Sequence, residues 1–412
     1  MTQDFLYTIH LAGCGTFGLI PKDPPKDINW REIFRLGKDH SVIPLIFCAM
    51  QKRTDLNCPK EIRSEFEKFS WVPMIQNQMR NEEIIKLLNK AKGEKICSVV
   101  LKGAAIGQSY DAPEARTALD TDIYVNSDDE EKMLLFLKQQ GFHIRPRQSN
   151  FYHTTCVHPK FGVIELHIDL FSENAKNIWF ENIDLLDYIS LKPYIIKTEY
   201  GEIYSIDPTS HLIFICLHFL NHFINSGTSL KMCFDIAAFY NKNKEQIDED
   251  RVYKAIERCN GQKVLKAMFS MLYMADIIIK TGLFNNISDN QGAMELFIDD
   301  LEQGGELGRK NLLSRQTERN HNVRKRIISN KGNIGYFIYC IKRWMMRIRL
   351  YFLPTKSELL FEYPHLKYIK AYFKHIQKKM YDHLTRKKNI RKTSKTWNEN
   401  REKLLTIMDI LE

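Results

Sequence analysis

The chain has 412 residues, 44% hydrophobic and 27% charged, with a formal net charge of +10. These are the proportions of a folded, soluble protein with enough length for two or three domains, and they exclude a disordered or fibrous chain. No apolar run reaches the eighteen or so uncharged residues of a membrane span, because the best segment, Ile334 to Phe352, carries Lys342, Arg343, Arg347 and Arg349.

The amino end lacks an early basic stretch and carries Asp4, a poor start for a signal peptide, so a cytoplasmic location is expected. Residues 27–92 read as helical, since INWREIFRLGKDHSVIPLIFCAMQK and SEFEKFSWVPMIQNQMRNEEIIKLLNKAK place apolar residues three and four apart. The period then changes. ICSVVLKG is a short β-branched run ending in Gly103, AAIGQSY suits a short helix, and LDTDIYV alternates as a half-buried strand. SDDEEKMLLFLKQQG reads as a helix with Ser127 as N-cap, an acidic first turn and Gly141 at its close. FYHTTCVHP and GVIELHIDLF are strands joined by PKFG, a hairpin connection, and YIIKTEYGEIYSI is a second hairpin. From about residue 208 nearly everything looks helical, beginning with DPTSHLIFICLHFLNHFI. The glycine-containing, charged stretch from Ser288 to Arg326 reads as a mobile connector.

The nine cysteines are scattered with no C-x-x-C pair, which points to reduced thiols and away from a cysteine zinc site. Charge is uneven. Arg309–Glu412 holds 26 Lys/Arg against 8 Asp/Glu, so an acidic body carries a basic C-terminal quarter. Part of that surface is expected to pack against the acidic body or face solvent. The sharper alternative is an anionic partner: nucleic acid, an anionic membrane surface or an acidic protein. The resulting division is an N-terminal helical region (1–93), a mixed α/β core (94–206) and a C-terminal helical region with a basic end (207–412).

Within the core, Asp120 and Asp122 stand two apart on one strand and therefore share a face. Unpaired carboxylates this close repel, and a divalent cation removes the conflict. VIELHIDLF puts Glu165, His167 and Asp169 on one face of a later strand. If the two strands pair, a third carboxylate joins the first two, and three carboxylates can hold two magnesium ions around a phosphoryl group. Gly103 lies where a strand turns into a helix, a place for phosphate oxygens, and Lys102 and Arg116 supply cations for a triphosphate. His167 can bond a carboxylate or touch substrate. His218 and His222, four apart, lack the adjacent Glu of a metalloprotease helix and suit a substrate cleft or packing better than zinc. Asp235, polar within MCFDIAAF, is expected to cap, to pair with a histidine of the preceding helix, or to face the substrate cleft with His167, His218 and His222.

Taken together, VVLKGAAIGQSY, RTALDTDIYV, LKQQGF, VIELHIDLF and LHFLNHF…LKMCFDIA resemble the nucleotidyltransferase superfamily of polymerase-beta-like fold. More narrowly, the chain resembles the bacterial uncharacterised nucleotidyltransferase family from about residue 28 to 375, FLPTKSELLFEYPHLK included. The resemblance implies an α+β fold with a small mixed-sheet core between helical regions. It implies magnesium held by Asp120, Asp122 and Glu165, with Glu165 preferred to Asp169, manganese as an alternative ion, and a phosphate loop shaped by Gly103.

 The donor would be a nucleoside triphosphate. The chain departs from the family pattern in Ala104, where a serine is common, in Thr121 between the two aspartates, and in the long spacing from Gly103 to Asp120.

The expected activity is transfer of a nucleoside monophosphate to an unknown acceptor with release of pyrophosphate, most of the catalysis being positioning and charge stabilisation. The alternatives are a fold-retaining, catalytically weak module that binds nucleic acid or protein, and a small-molecule kinase using the same carboxylates.

Overall fold

The computed structural model describes residues 1–147, 152–180, 184–225, 227–284, 287, 290–304, 327–328, 332–342, 344–345, 359, 362–363, 365–390 and 403–408. Four helices lead the chain: α1 (Gln3–Phe17), α2 (Trp30–Asp39), α3 (Ile43–Lys52) and the long α4 (Lys60–Gly93). The mixed region follows with β1 (Ser98–Val100), α5 (Ala104–Gly107), β2 (Asp120–Val125), α6 (Ser127–Gln139), β3 (His143–Ile144), β4 (His153–His158) and β5 (Gly162–His167). After α7 (Glu173–Ile178) and α8 (Leu185–Tyr188) comes the hairpin β6 (Tyr194–Thr198) and β7 (Gly201–Ser205). Helices then return as α9 (Pro208–Asn225), α10 (Leu230–Asn243), α11 (Glu249–Glu257), α12 (Gln262–Met274), α13 (Gln291–Gly304) and α14 (Tyr368–Ile390).

The first sheet has the order β1-β2-β5-β4-β3. β2 and β5 are parallel and the other neighbours antiparallel, so the sheet is mixed and the fold is α+β. Alternation along the strands separates two faces. Val100, Ile123, Val125, Cys156, Ile164 and Leu166 enter a compact cluster with Ile84, Ile85 and Leu88 of α4 and Met133, Phe136 and Leu137 of α6. The opposite face carries Asp120, Asp122, Glu165, His167 and His153, and it looks toward the helical side of the molecule, where Val99 and Leu101 join the larger cluster. That larger cluster unites α1 and α3 with α9, α10 and α12, so residues from both ends of the expected three-part division share one core. α9 is buried along nearly its whole length, as its continuous apolar run requires.

Two sequence expectations meet a different outcome. Ser127 opens α6 as its first helical residue, and the preceding Asn126 takes the cap position. The stretch read as a connector contains α13, whose Phe297, Ile298 and Leu301 are buried. α1 falls within the expected N-terminal helical region although its glycines lower helix propensity. Gly15 has a packing reason: a Cβ there would stand 1.8 Å from the Leu45 carbonyl oxygen of α3, so only glycine lets the two helices approach this closely. Much of the basic C-terminal quarter, including most of FLPTKSELLFEYPHLK, lies outside the described residues, and so does most of the surface expected to meet an anionic partner. No helix among the described residues is long and apolar enough to cross a membrane.

Candidate active site

Strand register assembles the site. β2 and β5 run parallel with Asp122 beside Glu165 and Tyr124 beside His167. Register partners project to the same face, so Asp120, Asp122, Glu165 and His167 form one polar patch. β4 adds His153, which stands opposite His167 in the antiparallel ladder. Asp169 falls beyond the end of β5 and pairs with Lys176, away from this patch. Thr121, the residue between the two aspartates, points to the other face, where it is 1% exposed and lies under the Gly103 turn.

Asp122 is the electrostatic centre. It is 1% exposed, and burial alone would oppose its ionisation. Lys102 Nζ stands 2.9 Å from its Oδ2 as an ion pair, and His167 Nε2 donates to its Oδ1 at 2.9 Å. These two partners hold the Asp122 carboxyl well below the usual carboxylate range despite its burial. The reciprocal effects follow. Burial disfavours charge on Lys102 and on His167, yet Asp122 raises both. Burial likewise works against ionised Glu165, but His167 and His153, with Nε2 atoms each 3.7 Å from its carboxylate, bring it below its ordinary value.

From α9, His218 accepts from Lys102 Nζ at 3.2 Å and its ring lies 4.5 Å from that of His222. Burial and the Lys102 charge push His218 well down and His222 to about 4, so both imidazoles are neutral at neutral pH. They suit a cleft wall beside the ammonium.

The loop leading into β2 is held by contacts that the sequence did not indicate. Arg116 is 4% exposed, and its Nε and Nη2 donate to Asp235 Oδ1 and Oδ2 at 2.8 and 2.7 Å. Tyr110 donates to Asp235 at 2.7 Å. Asp235 therefore takes a guanidinium and a phenol where a cap or a histidine partner was expected. One guanidinium nitrogen of Arg116, Nη1, is buried without a hydrogen-bond partner. Asn77 of α4 donates to the carbonyls of Glu114 and Arg116 at 3.0 and 3.1 Å, which fixes the same loop from the other side.

The turn after β1 is held as firmly. Gly103 has φ 67° and ψ −119°, a conformation that a side chain makes costly, although a Cβ would meet nothing closer than 3.6 Å. The constraint here is backbone conformation. His211 Nε2 donates to the Leu101 carbonyl at 2.6 Å and Ser205 Oγ to the Val100 carbonyl at 2.8 Å, anchoring the end of β1 from α9 and β7. The helix that follows Gly103 has only four residues.

Lys102, Gly103, Arg116, Asp120, Asp122, His218, His222, Lys231 and Asp235 all border one pocket of about 280 Å³. The pocket thus gathers most of the residues that the sequence singled out and adds Lys231, a surface-looking lysine of α10. The donors of Asp120, Asp122 and Glu165 are hard oxygens, the kind a divalent cation such as magnesium takes. The ammonium already beside Asp122 marks a place that favours positive charge. On both counts the residues fit such an ion. His153, Glu165 and His167 form a second donor set, with ligand atoms all within 4.8 Å of one another.

The family described as uncharacterised nucleotidyltransferase matches residues 26–278. A crystal structure of an antigenic nucleotidyltransferase-like protein from Paracoccidioides brasiliensis overlaps 50% of this chain and 97% of its own, at 14% identity and a TM-score of 0.31. No curated protein matches. The match spans the whole sheet, the Gly103 turn, both β2 aspartates and the α9–α10 wall of the pocket, and on it the chain belongs to the uncharacterised nucleotidyltransferase family.

Proposed function

We propose that the protein is a magnesium-dependent nucleotidyltransferase that moves a nucleoside monophosphate from a nucleoside triphosphate to an acceptor and releases pyrophosphate. The observation that carries this reading is the register of β2 on β5, which sets Asp122 beside Glu165 with Asp120 on the same face, the two aspartates bordering a cation-lined pocket. Magnesium, or manganese in its place, held by Asp120, Asp122 and Glu165 would stabilise the charge that develops on the transferred group. The chain's own groups do the remaining work. Lys102, Lys231 and Arg116 border the pocket as cations for phosphate oxygens. The Gly103 turn sets Lys102 at the pocket edge. Glu165 accepts the acceptor proton as the acceptor oxygen bonds to the α-phosphorus and the bond to the pyrophosphate oxygen breaks. His218 and His222, neutral and half-buried, would border the nucleotide without adding charge.

The test incubates the protein with α-labelled and, separately, γ-labelled nucleoside triphosphates, magnesium and a cell extract. Label from the α-position in an acceptor supports the reading, and label from the γ-position points to a kinase. Equal labelling by an Asp120→Ala, Asp122→Ala variant sinks the mechanism.

A second reading has one observation in its favour: Asp122 is already neutralised by Lys102 and His167. A chain in which that pairing persists would bind nucleotide or a partner through its basic helical end and turn over weakly. A rise in melting temperature with magnesium and nucleoside triphosphate, without labelled product, would select it.

A further inference from the structure

The proposed activity uses oxygen donors, yet two imidazoles converge on the same carboxylate. We infer that His153, Glu165 and His167 form a nitrogen-bearing metal site whose ion is a transition-metal dication of the manganese-to-zinc series. The inference deepens the reading of the metal centre given above, with which it shares Glu165, but its test does not depend on turnover.

Geometry carries it. His153 Nε2 stands 3.7 Å from Glu165 Oε1, and His167 Nε2 stands 3.7 Å from Glu165 Oε2. Those separations are too long for hydrogen bonds, whose N···O distances cluster at about 2.7–3.2 Å. They are close to the spacing of two ligands around one ion, about 3.4–3.6 Å for bonds of about 2.1 Å at tetrahedral to trigonal angles. The two imidazole rings lie 5.1 Å apart, and the ring of Tyr152 lies 5.0 and 5.2 Å from them as one wall. The donors are placed by paired strands rather than by loops. His153 is opposite His167 and Thr155 opposite Glu165 in the β4–β5 ladder. Rigid placement of this kind suits a site that must hold one geometry.

Asp122 completes the set. His167 Nε2 directs its proton to Asp122 Oδ1 at 2.9 Å. An ion at Nε2 takes the place of that proton, which leaves to solvent, and brings the Asp122 carboxylate within reach as a fourth donor. Two nitrogens and two carboxylates favour borderline ions over magnesium, which prefers an all-oxygen shell. The sequence pointed only to an all-oxygen site.

The experiment uses the untagged full chain, stripped with a chelator. With Mn²⁺ bound, pulsed electron paramagnetic resonance should show ¹⁴N coupling from directly ligated imidazole. Calorimetry should give one Zn²⁺ per chain, bound at least about tenfold more tightly than Mg²⁺. His153→Gln should weaken Zn²⁺ at least about tenfold and leave Mg²⁺ within about twofold, since loss of a ligand costs no less than loss of an outer-shell partner. Absence of ¹⁴N coupling, failure of Mn²⁺ or Zn²⁺ to bind, or a His153→Gln variant with wild-type Zn²⁺ affinity overturns the site. The spectrum is read on the wild-type chain, so a variant that folds poorly does not blur the result. Nucleotidyl transfer with an oxygen-only spectrum would remove this site and spare the proposed activity. Nitrogen coupling without transfer would do the reverse.

Discussion

Asp235→Ala tests what Arg116 is for. The sequence cast Arg116 as a cation for a triphosphate, whereas the fold spends two of its nitrogens on Asp235. The side chains of Arg116 and Asp235 are 4% and 9% exposed, so the pair has little solvent to screen it. Removing the carboxylate strands a buried guanidinium, and breaking such a pair typically costs about 3–5 kcal/mol. At about 2–4 °C per kcal/mol, the melting temperature should fall by about 6–20 °C. Asp235→Asn keeps an acceptor for Tyr110 and should lose less. Arg116→Met with Asp235→Leu, which removes both charges, should recover most of the loss. The pH dependence has a definite sign. Burial opposes ionisation of Asp235, but Arg116 and Tyr110 lower its pKa below the unfolded value. Its contribution is therefore fully present above about pH 4 and disappears as pH falls through the still lower folded value. The assay is chemical denaturation of each variant at pH 7 and at about pH 3, inside the window where the contribution is lost, with nucleotide affinity measured alongside. An Asp235→Ala chain within 1 kcal/mol of wild type would refute the tether, to within the roughly ±0.5 kcal/mol of ordinary surface substitutions.

Gly103→Ala should destabilise the chain by about 1–3 kcal/mol in denaturant titrations, because it forces a side chain into a glycine conformation in space that is otherwise open. His211 is buried beside the Leu101 carbonyl, and desolvation lowers its pKa to about 4. Between about pH 6.5 and 4 the unfolded chain takes up the proton that the folded chain refuses, so stability falls with pH by about 3 kcal/mol. Denaturation curves of His211→Gln should lack that increment, and identical pH profiles would disprove it. Lys102→Met removes the ammonium that competes with an ion at Asp122, so magnesium should raise its melting temperature more than it raises that of wild type, as read by calorimetric scans.

The carboxylate patch was legible because strand geometry has a period of two and the short runs around it are bounded by glycine turns. Asp120, Asp122 and Glu165 needed only one assumption beyond the sequence, that their strands are neighbours. His153 was equally derivable and was missed. PKFG makes His158 the partner of Gly162, and counting back along that hairpin brings His153 opposite His167. The roles of Arg116, Asp235 and His211 were not legible, since each depends on a partner from a distant segment. Tyr110 and Asp235, for example, are 125 residues apart. The bounds of α1 within the expected helical region were not legible for the opposite reason: its glycines weaken the local signal, and Gly15 is used in packing against Leu45.

The conflict between two carboxylates on one face has a physical resolution within the chain. Lys102 and His167 supply the positive charge that Asp122 demands, and Glu165 lies between two imidazoles. An entering ion must therefore compete with an ammonium and a proton rather than fill a naked anionic hole. Competition of that kind favours an ion whose own bonds to nitrogen repay displacement of the His167 proton. Magnesium gains little from imidazole. Its affinity should thus rest on Asp120 and on a bound triphosphate that can draw Lys102 away from Asp122, which makes nucleotide and magnesium binding cooperative.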